Sequence, residues 1–274
     1  MTSKRKALGQ HFLHDQNIVR KILAEAAIGP DETVVEIGPG RGILTHALAR
    51  CAAAVYAVEI DRALYEQLTR DVDASPVRAK VHLIHSDALD YPFENLPAPF
   101  AVVANLPYSV STPLLFRLLS YNTRVTRMVL MLQLEVARRI TAAPGTKDYS
   151  PLTIGAQYHS DARLAFVVPR GCFSPPPKVD SAVIRLAMRA TPRVAVKNEE
   201  LFFRVVRAGF GHRRKSLRNA LKDGGFPAEA VEKSLSASAV IDGNPQRRAE
   251  TLTMEEFGRL SDRLLEAAIT HRLS

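Results

Sequence analysis

The sequence predicts an α/β fold, a parallel-dominated sheet followed by a small C-terminal α-helical domain. Three observations carry this. Short apolar runs alternate with helix-patterned stretches as far as Leu186. The first apolar run, Thr33–Ile37, opens directly into the glycine-rich turn Gly38-Pro39-Gly40-Arg41-Gly42 and then a helix. Beyond Thr191-Pro192-Arg193 no strand pattern recurs. The segments are therefore read as 1–190 and 191–274.

Residues 1–14 read as a basic arm ending in Gly9-Gln10-His11-Phe12-Leu13. A helix runs from about Asp15 to Ile28, with Ile18, Val19, Ile22 and Leu23 on one side. After the first strand and its glycine turn, a helix spans Ile43 to Arg50. The second strand, Ala54–Val58, ends in Glu59-Ile60-Asp61, and the third, Val81–His85, in Ser86-Asp87-Ala88. The fourth, Phe100–Ala104, ends in Asn105-Leu106-Pro107-Tyr108, followed by a helix with Ser111 as N-cap. A fifth strand lies at about 127–132, with helices at about 133–141 and from Tyr149-Ser150-Pro151 to about Tyr158. The last two strands, Ala165–Val168 and Ala182–Leu186, have no helix between them and should form a hairpin at one sheet edge. The second segment reads as helices near 201–206, 211–222, 228–235 and 254–268, with Thr253 and Glu256 as a capping box.

Of the 274 residues, 46% are hydrophobic, and no apolar run is long enough to span a bilayer. No secretory core follows the basic N-terminus, and the two cysteines, Cys51 and Cys172, allow neither a disulfide framework nor a zinc spacing. A reducing cytoplasm fits this usage. The net charge of +9 suggests a polyanionic partner, chiefly nucleic acid. The densest cluster is Arg213, Arg214, Lys215, Arg218 and Lys222, with Leu217 and Leu221 facing inward. Such a face can contact phosphates, or it can simply be a solvated helix surface.

Four strand ends carry the candidate site, and open α/β sheets bind ligands outside these carboxyl ends. Gly38 and Gly40 allow close backbone approach, although glycine also serves ordinary βα turns. Glu59 is placed to accept from a ribose diol, while Asp61 is the better helix cap. Asp87 can accept from an adenine amine or close a turn. His82 and His85 are read as partly exposed strand residues, not metal ligands. In Asn105-Leu106-Pro107-Tyr108, an amide offers hydrogen bonds, a proline has no N–H, and an aromatic face can stack on a flat ring.

Taken together, these are the contacts expected for an adenosine moiety, and Asn105-Leu106-Pro107-Tyr108 resembles the target-amine motif of N6-adenine methyltransferases. The ligand so implied is S-adenosyl-L-methionine, not NAD, and no metal is needed. The whole chain resembles the ribosomal small-subunit RNA adenine N6,N6-dimethyltransferase family. The matching stretches are Gly9–Leu13, Val35–Gly40, Val58–Asp61, Asp87-Ala88, Asn105–Tyr108, Phe173–Val183 and Arg213–Asn219, in the family's order. The resemblance implies a Rossmann-like class I SAM-dependent methyltransferase sheet. It implies that Gly38, Gly40, Glu59, Asp87, Ala88 and Asn105 hold the cofactor or its methyl, with His11 and Leu13 closing over it. Many members carry Asn where this chain has His11, so a backbone contact there survives and a side-chain amide contact does not. Asn105, Leu106, Pro107 and Tyr108 would hold the target base, with Phe173 sandwiching it opposite Tyr108. Phe173 also reads as a core residue before a proline-rich turn.

The implied substrate is two adjacent adenosines in the 3′-terminal hairpin loop of small-subunit rRNA, each dimethylated. The implied partner is a partly assembled (pre-30S) small subunit, met by a monomer, with no membrane. Three alternatives stay open: an Erm-type methyltransferase of large-subunit rRNA, a non-catalytic nucleic-acid-binding factor on the same fold, and a Rossmann dehydrogenase, which the G-x-G-x-G spacing disfavours.

Overall fold

A computed structural model describes residues 11–212, 215–236, 244 and 246–272, the last helix in side-chain detail as far as Ala267. The chain divides into two compact units. The first comprises residues up to Arg138 together with His159–Ala190, and the second comprises Arg139–Tyr158 with the chain from Thr191 onward.

The first unit holds a seven-stranded sheet. Strand β1 (Phe12–Leu13) stands outside it; β2 (Thr33–Ile37), β3 (Ala54–Glu59), β4 (Val81–His85), β5 (Phe100–Asn105), β6 (Val125–Gln133), β7 (Ser160–Val168) and β9 (Ser181–Met188) make the sheet. The order is β4-β3-β2-β5-β6-β9-β7. All pairings are parallel except those of β9, which lies antiparallel between β6 and β7. The hairpin expected from the sequence is therefore present, with β7 rather than the last strand at the edge. The strands β2 and β5 are almost wholly buried, which is why they read as continuous apolar runs.

Helices α1 (Gln16–Ala26), α2 (Ile43–Cys51), α3 (Arg62–Asp73) and α4 (Ser111–Leu119) belong to this unit, and α5 (Leu134–Ile140) passes from it into the second at Arg139. Apolar stripes explain their packing: Ile18, Val19 and Ile22 of α1 and Leu44 and Leu48 of α2 enter one core with Val34 and Val55. Each such side chain contributes roughly 1.5–3 kcal/mol on burial. Asp15 caps α1 through the Asn17 and Ile18 amides. The expected Ser111 cap is displaced. The N-cap position is Val110, and the Ser111 hydroxyl instead donates to the Tyr108 carbonyl at 3.3 Å. The motif turn just before the helix claims that hydroxyl.

Arg127 on β6 ties the sheet to the end of α1. Its guanidinium forms a two-pronged pair with Glu32 at 2.8 and 2.7 Å and donates to the carbonyls of Ala26 and Ala27. The Arg127 hydrogen bonds pull the Glu32 carboxyl down to about 2 against the cost of burial. Its folded value lies below its ordinary 4.5, so the pair's contribution is complete above pH 4.5 and lost as pH falls towards 2. Arg127→Met is expected to lower unfolding free energy by about 2–3 kcal/mol near neutral pH. Urea unfolding reads this as a lower midpoint; an unchanged midpoint would show the pair to be energetically neutral.

The second unit is helical: α6 (Pro151–Tyr158), α7 (Glu199–Gly209), α8 (Leu217–Asp223), α9 (Ala228–Ser236) and α10 (Met254–Arg272). Its core joins Tyr149, Ile154 and Tyr158 to Phe202, Leu217, Leu221 and Phe257. Here the sequence-based boundary needs correction, because Arg139–Tyr158 belongs to this unit. Tyr158 stacks on Phe202 with ring centroids 5.1 Å apart, a contact that periodicity cannot reveal. The capping box stands as expected: the Thr253 amide donates to Glu256 at 2.7 Å, and the Glu256 amide to the Thr253 hydroxyl at 3.3 Å. Among the described residues, no helix is long and apolar enough to cross a membrane, and no three His, Cys, Asp or Glu side chains could share a metal ion.

Candidate active site

Strand order reverses at β2, with β3 and β4 on one side and β5 and β6 on the other. Such a switch point leaves a crevice at the carboxyl ends, and a cavity lies there. Gly38, Gly40, Glu59, Asp87, Ala88 and Asn105 line it, as do His11, Leu13, Leu106, Pro107 and Tyr108.

The glycine turn fits the crevice because its backbone is left-handed. Gly38 has φ +66°, Gly40 +57° and Gly42 +78°. At Gly40 an added Cβ would stand 3.1 Å from the Phe12 ring, so no side chain can replace it without moving the arm.

Glu59 ends β3 and is 3% exposed. One carboxylate oxygen accepts from the Gly40 amide at 3.1 Å and the other from the Asp61 amide at 2.8 Å. Burial raises its pKa, and those two amides oppose the rise. Asp61 is the cap of α3, accepting from Ala63 and Leu64, and Glu59 lines the cavity instead. Asp87 uses one oxygen to accept from the Leu89 amide at 2.8 Å and still lines the cavity, so its turn and ligand roles are compatible.

The described end of the N-terminal arm, from His11 to Leu13, lines the cavity. β1 pairs with β8 (Phe173–Ser174), Phe12 facing Ser174 and Leu13 facing Phe173. The His14 amide donates to the Cys172 carbonyl at 3.1 Å. The His11 ring Nδ1 donates to the Pro175 carbonyl at 2.8 Å, and the His11 carbonyl accepts from Asn105 Nδ2 at 3.2 Å. The residue that departs from the family's usual Asn therefore reaches Asn105 through its backbone.

That bond fixes the Asn105 amide with its nitrogen towards the arm, leaving Oδ1 as an acceptor. In the same turn, the Leu106 amide donates to Met131 and the Pro107 carbonyl accepts from Val110. The Leu106 carbonyl accepts no such bond among the described residues. Tyr108 donates to or accepts from Ser181 at 2.6 Å, and its ring lies 5.6 Å from that of His11. Burial raises the Tyr108 phenol's pKa, opposed by Ser181 and aided by Asp180, so it keeps its proton at neutral pH. The turn thus leaves Asn105 Oδ1 and the Leu106 carbonyl without a donor among the described residues, beside the Tyr108 ring.

Phe173 does not join them. It is 2% exposed, packs in the core with Leu13 and does not line the cavity, so its expected stacking face is covered. Three residues that line the cavity were not singled out from sequence. Ile60 is 47% exposed beside Glu59 and offers an apolar surface. Arg41 lies over the Phe12 ring at 4.7 Å. Glu36 is an acid inside the buried strand β2, and that placement two residues before Gly38 was the available signal.

In the second unit, Leu217 and Leu221 are buried as expected. Lys215 pairs with Asp223 at 2.5 Å, Arg218 with Glu232 at 3.0 Å and Lys222 with Glu232 at 2.8 Å. Arg213 and Arg214 lie outside the described residues, as do Gly9 and Gln10 of the arm.

The sheet order and a site built on its switch-point loops define a Rossmann-like class I methyltransferase. Comparison with known proteins narrows the class. Residues 1–264 match the ribosomal RNA adenine dimethylase family. The chain is 47% identical to the Ribosomal RNA small subunit methyltransferase A of Geobacillus thermodenitrificans, over 96% of this chain and 92% of the relative. It is 45% identical to the protein of that name from Pelotomaculum thermopropionicum, over 97% and 92%. Among solved structures, a dimethyladenosine transferase from Plasmodium falciparum superposes with a TM-score of 0.79 at 26% identity, covering 94% of this chain and 98% of that one. The 23S rRNA methyltransferase ErmE gives 0.71 at 29% identity, over 92% and 99%. The chain belongs to the ribosomal RNA adenine dimethylase family, and it is a methyltransferase.

Proposed function

We propose that this protein transfers methyl groups from S-adenosylmethionine to the N6 amines of two adjacent adenosines in the 3′-terminal hairpin loop of small-subunit rRNA, dimethylating each. It works as a cytoplasmic monomer on a partly assembled small subunit. One observation carries the reading: the glycine turn, Glu59 and Asp87 share a cavity with the free acceptor edge of Asn105-Leu106. The small-subunit assignment is supported by the names of relatives that match nearly the whole chain.

The residues present fit the cofactor. Positive-φ glycines let backbone approach a ligand closely, two acids suit a ribose diol and an exocyclic amine, and Ile60 offers a flat apolar contact. When bound, S-adenosylmethionine supplies an electrophilic methyl on a positively charged sulfur. The chain's own part is positioning. An adenine N6 lone pair is delocalised into its ring and attacks poorly. Asn105 Oδ1 and the Leu106 carbonyl, accepting from the N6 hydrogens, favour the pyramidal amine whose lone pair is free. The Tyr108 ring stacks on the flipped base, holding it in line. Orientation of this kind can supply a large share of the rate. Loop adenosines suit such capture because they are already unpaired.

The second unit is assigned to phosphate contact through Arg213, Arg214, Lys215, Arg218 and Lys222. The last three carry acidic partners, so phosphates must displace Asp223 and Glu232. Exposed ion pairs are worth about 0–1 kcal/mol, so such exchange is cheap. Replacing Arg213, Arg214 and Lys215 together by Ala is expected to weaken RNA binding and reduce the slope of log affinity against log salt by about 0.7–0.9 per lost phosphate contact. An unchanged salt slope would return the cluster to a solvated surface.

The reading as a whole is tested by offering labelled S-adenosylmethionine with small subunits lacking the modification, and with large subunits in parallel. Label in the small subunit supports it; label confined to the large subunit would replace it with an Erm-type activity.

A further inference from the structure

We infer that Glu36 is a proton-carrying counter-charge of the cofactor site: protonated while the cavity is empty, it ionises and releases its proton when a positively charged cofactor enters. The inference rests on the reading of this cavity as the S-adenosylmethionine site.

The geometry comes first. Glu36 sits in the middle of the sheet on β2 and is 2% exposed. Its side chain lines the same cavity as Gly38, Glu59 and Asn105. Its Oε2 is buried and accepts or donates no hydrogen bond. Glu59, the neighbouring buried acid, differs: both its oxygens accept from backbone amides. A buried carboxylate with one oxygen unpartnered loses its hydration and regains little in return, so such a group keeps its proton instead. The charged surroundings agree. Glu59 adds negative charge from the end of β3, and Asp87 lines the same cavity after β4. Arg41 is turned to the Phe12 ring, His11 is bonded to Pro175, and Tyr108 keeps its proton. None of these residues donates a hydrogen bond to Glu36.

The protonation state follows. Burial pushes the Glu36 carboxyl up to about 8, the Glu59 charge adds to the rise, and the nearby Thr45 hydroxyl opposes it. The empty site therefore holds a neutral acid at pH 7. A cationic ligand reverses the balance, because an opposite charge a few ångströms away favours the carboxylate. The bond broken is the carboxyl O–H, and the proton passes to the buffer. The site so gains a negative charge only when a positive one arrives, and the empty cavity is spared two ionised acids side by side.

The experiment is calorimetric titration of the full-length protein with S-adenosylmethionine in three buffers of different ionisation enthalpy, repeated between pH 6 and 9. Wild-type protein is expected to release close to one proton at pH 7 and none near pH 9. Its affinity should rise by up to about tenfold per pH unit below 8 and level off above it. Glu36→Gln should bind more weakly and release no proton. Binding without proton release in the wild type, or undiminished release in E36Q, would overturn the inference. No binding at any pH would instead count against the cofactor reading itself.

A second measurement does not depend on the variant binding ligand. A group whose folded pKa is raised stabilises fully below its ordinary value of 4.5, and the contribution is lost as pH rises through about 8. The thermal midpoint of ligand-free wild type should therefore fall more between pH 6 and 9 than that of Glu36→Gln. Parallel curves would overturn the inference.

Discussion

Asn105→Ala is expected to lower methyl transfer by roughly 10²–10³-fold while leaving RNA binding intact. The substitution removes Oδ1, one of two acceptors facing the target amine, and with it the geometry that frees the N6 lone pair. It also removes the Nδ2 bond to the His11 carbonyl, which holds the arm to the motif turn at 3.2 Å. The loss should therefore divide into two parts. A fall in the rate at saturating cofactor reports the missing acceptor, and a weaker cofactor affinity reports the loosened arm. Neither part touches the second unit, so retention on RNA should not change. Single-turnover transfer and RNA binding, measured on the same preparation, separate these effects. Wild-type transfer in the variant would remove Asn105 from the chemistry.

Glu59→Ala is expected to weaken S-adenosylmethionine binding by about 3–6 kcal/mol, or roughly 10²–10⁴-fold. A charged acceptor contributes about 1.5–3 kcal/mol per hydrogen bond, and a ribose diol offers two. The carboxylate has a second task, because its oxygens receive the Gly40 and Asp61 amides and so shape the glycine turn. Glu59→Gln keeps the size and one acceptor oxygen but must give up one of the two amide bonds, and should fall between wild type and Glu59→Ala. Equilibrium dialysis with labelled cofactor measures the series. Equal affinity in all three proteins would mean that the ribose is held elsewhere. A Glu59→Ala protein that fails to fold, beside a folded Glu59→Gln, would place the residue's weight on the turn.

Much of this site can be read from sequence because a parallel sheet puts its loops where its strands end. The buried strands Thr33–Ile37 and Phe100–Asn105 announce themselves as apolar runs, and each is followed by residues that suit a ligand. The sorting of Glu59 from Asp61 was also legible, since a cap must sit directly before its helix. Other features depend on contacts distant in the chain. Tyr158 meets Phe202 across more than forty intervening positions, so the membership of Arg139–Tyr158 in the helical unit leaves no local mark. Arg218 and Lys222 share one acid from another helix, Glu232, which made the cluster look freer than it is. Phe173 stands in a motif that reads as functional, yet the pairing of its strand with β1 places its ring in the core beside Leu13. Glu36 was visible as an acid in an apolar strand, but only the folded structure shows that its Oε2 is buried without a partner.

The central claim is dimethylation of adjacent small-subunit adenosines, and nucleoside analysis of the product tests it most directly. Small subunits lacking the modification are incubated with the protein and S-adenosylmethionine, and their rRNA is fragmented and examined by mass spectrometry. The account predicts N6,N6-dimethyladenosine at two neighbouring positions of the 3′-terminal hairpin loop, and none after treatment with Asn105→Ala. Absence of dimethyladenosine from that loop, with the same protein modifying large-subunit rRNA or no RNA at all, would contradict it.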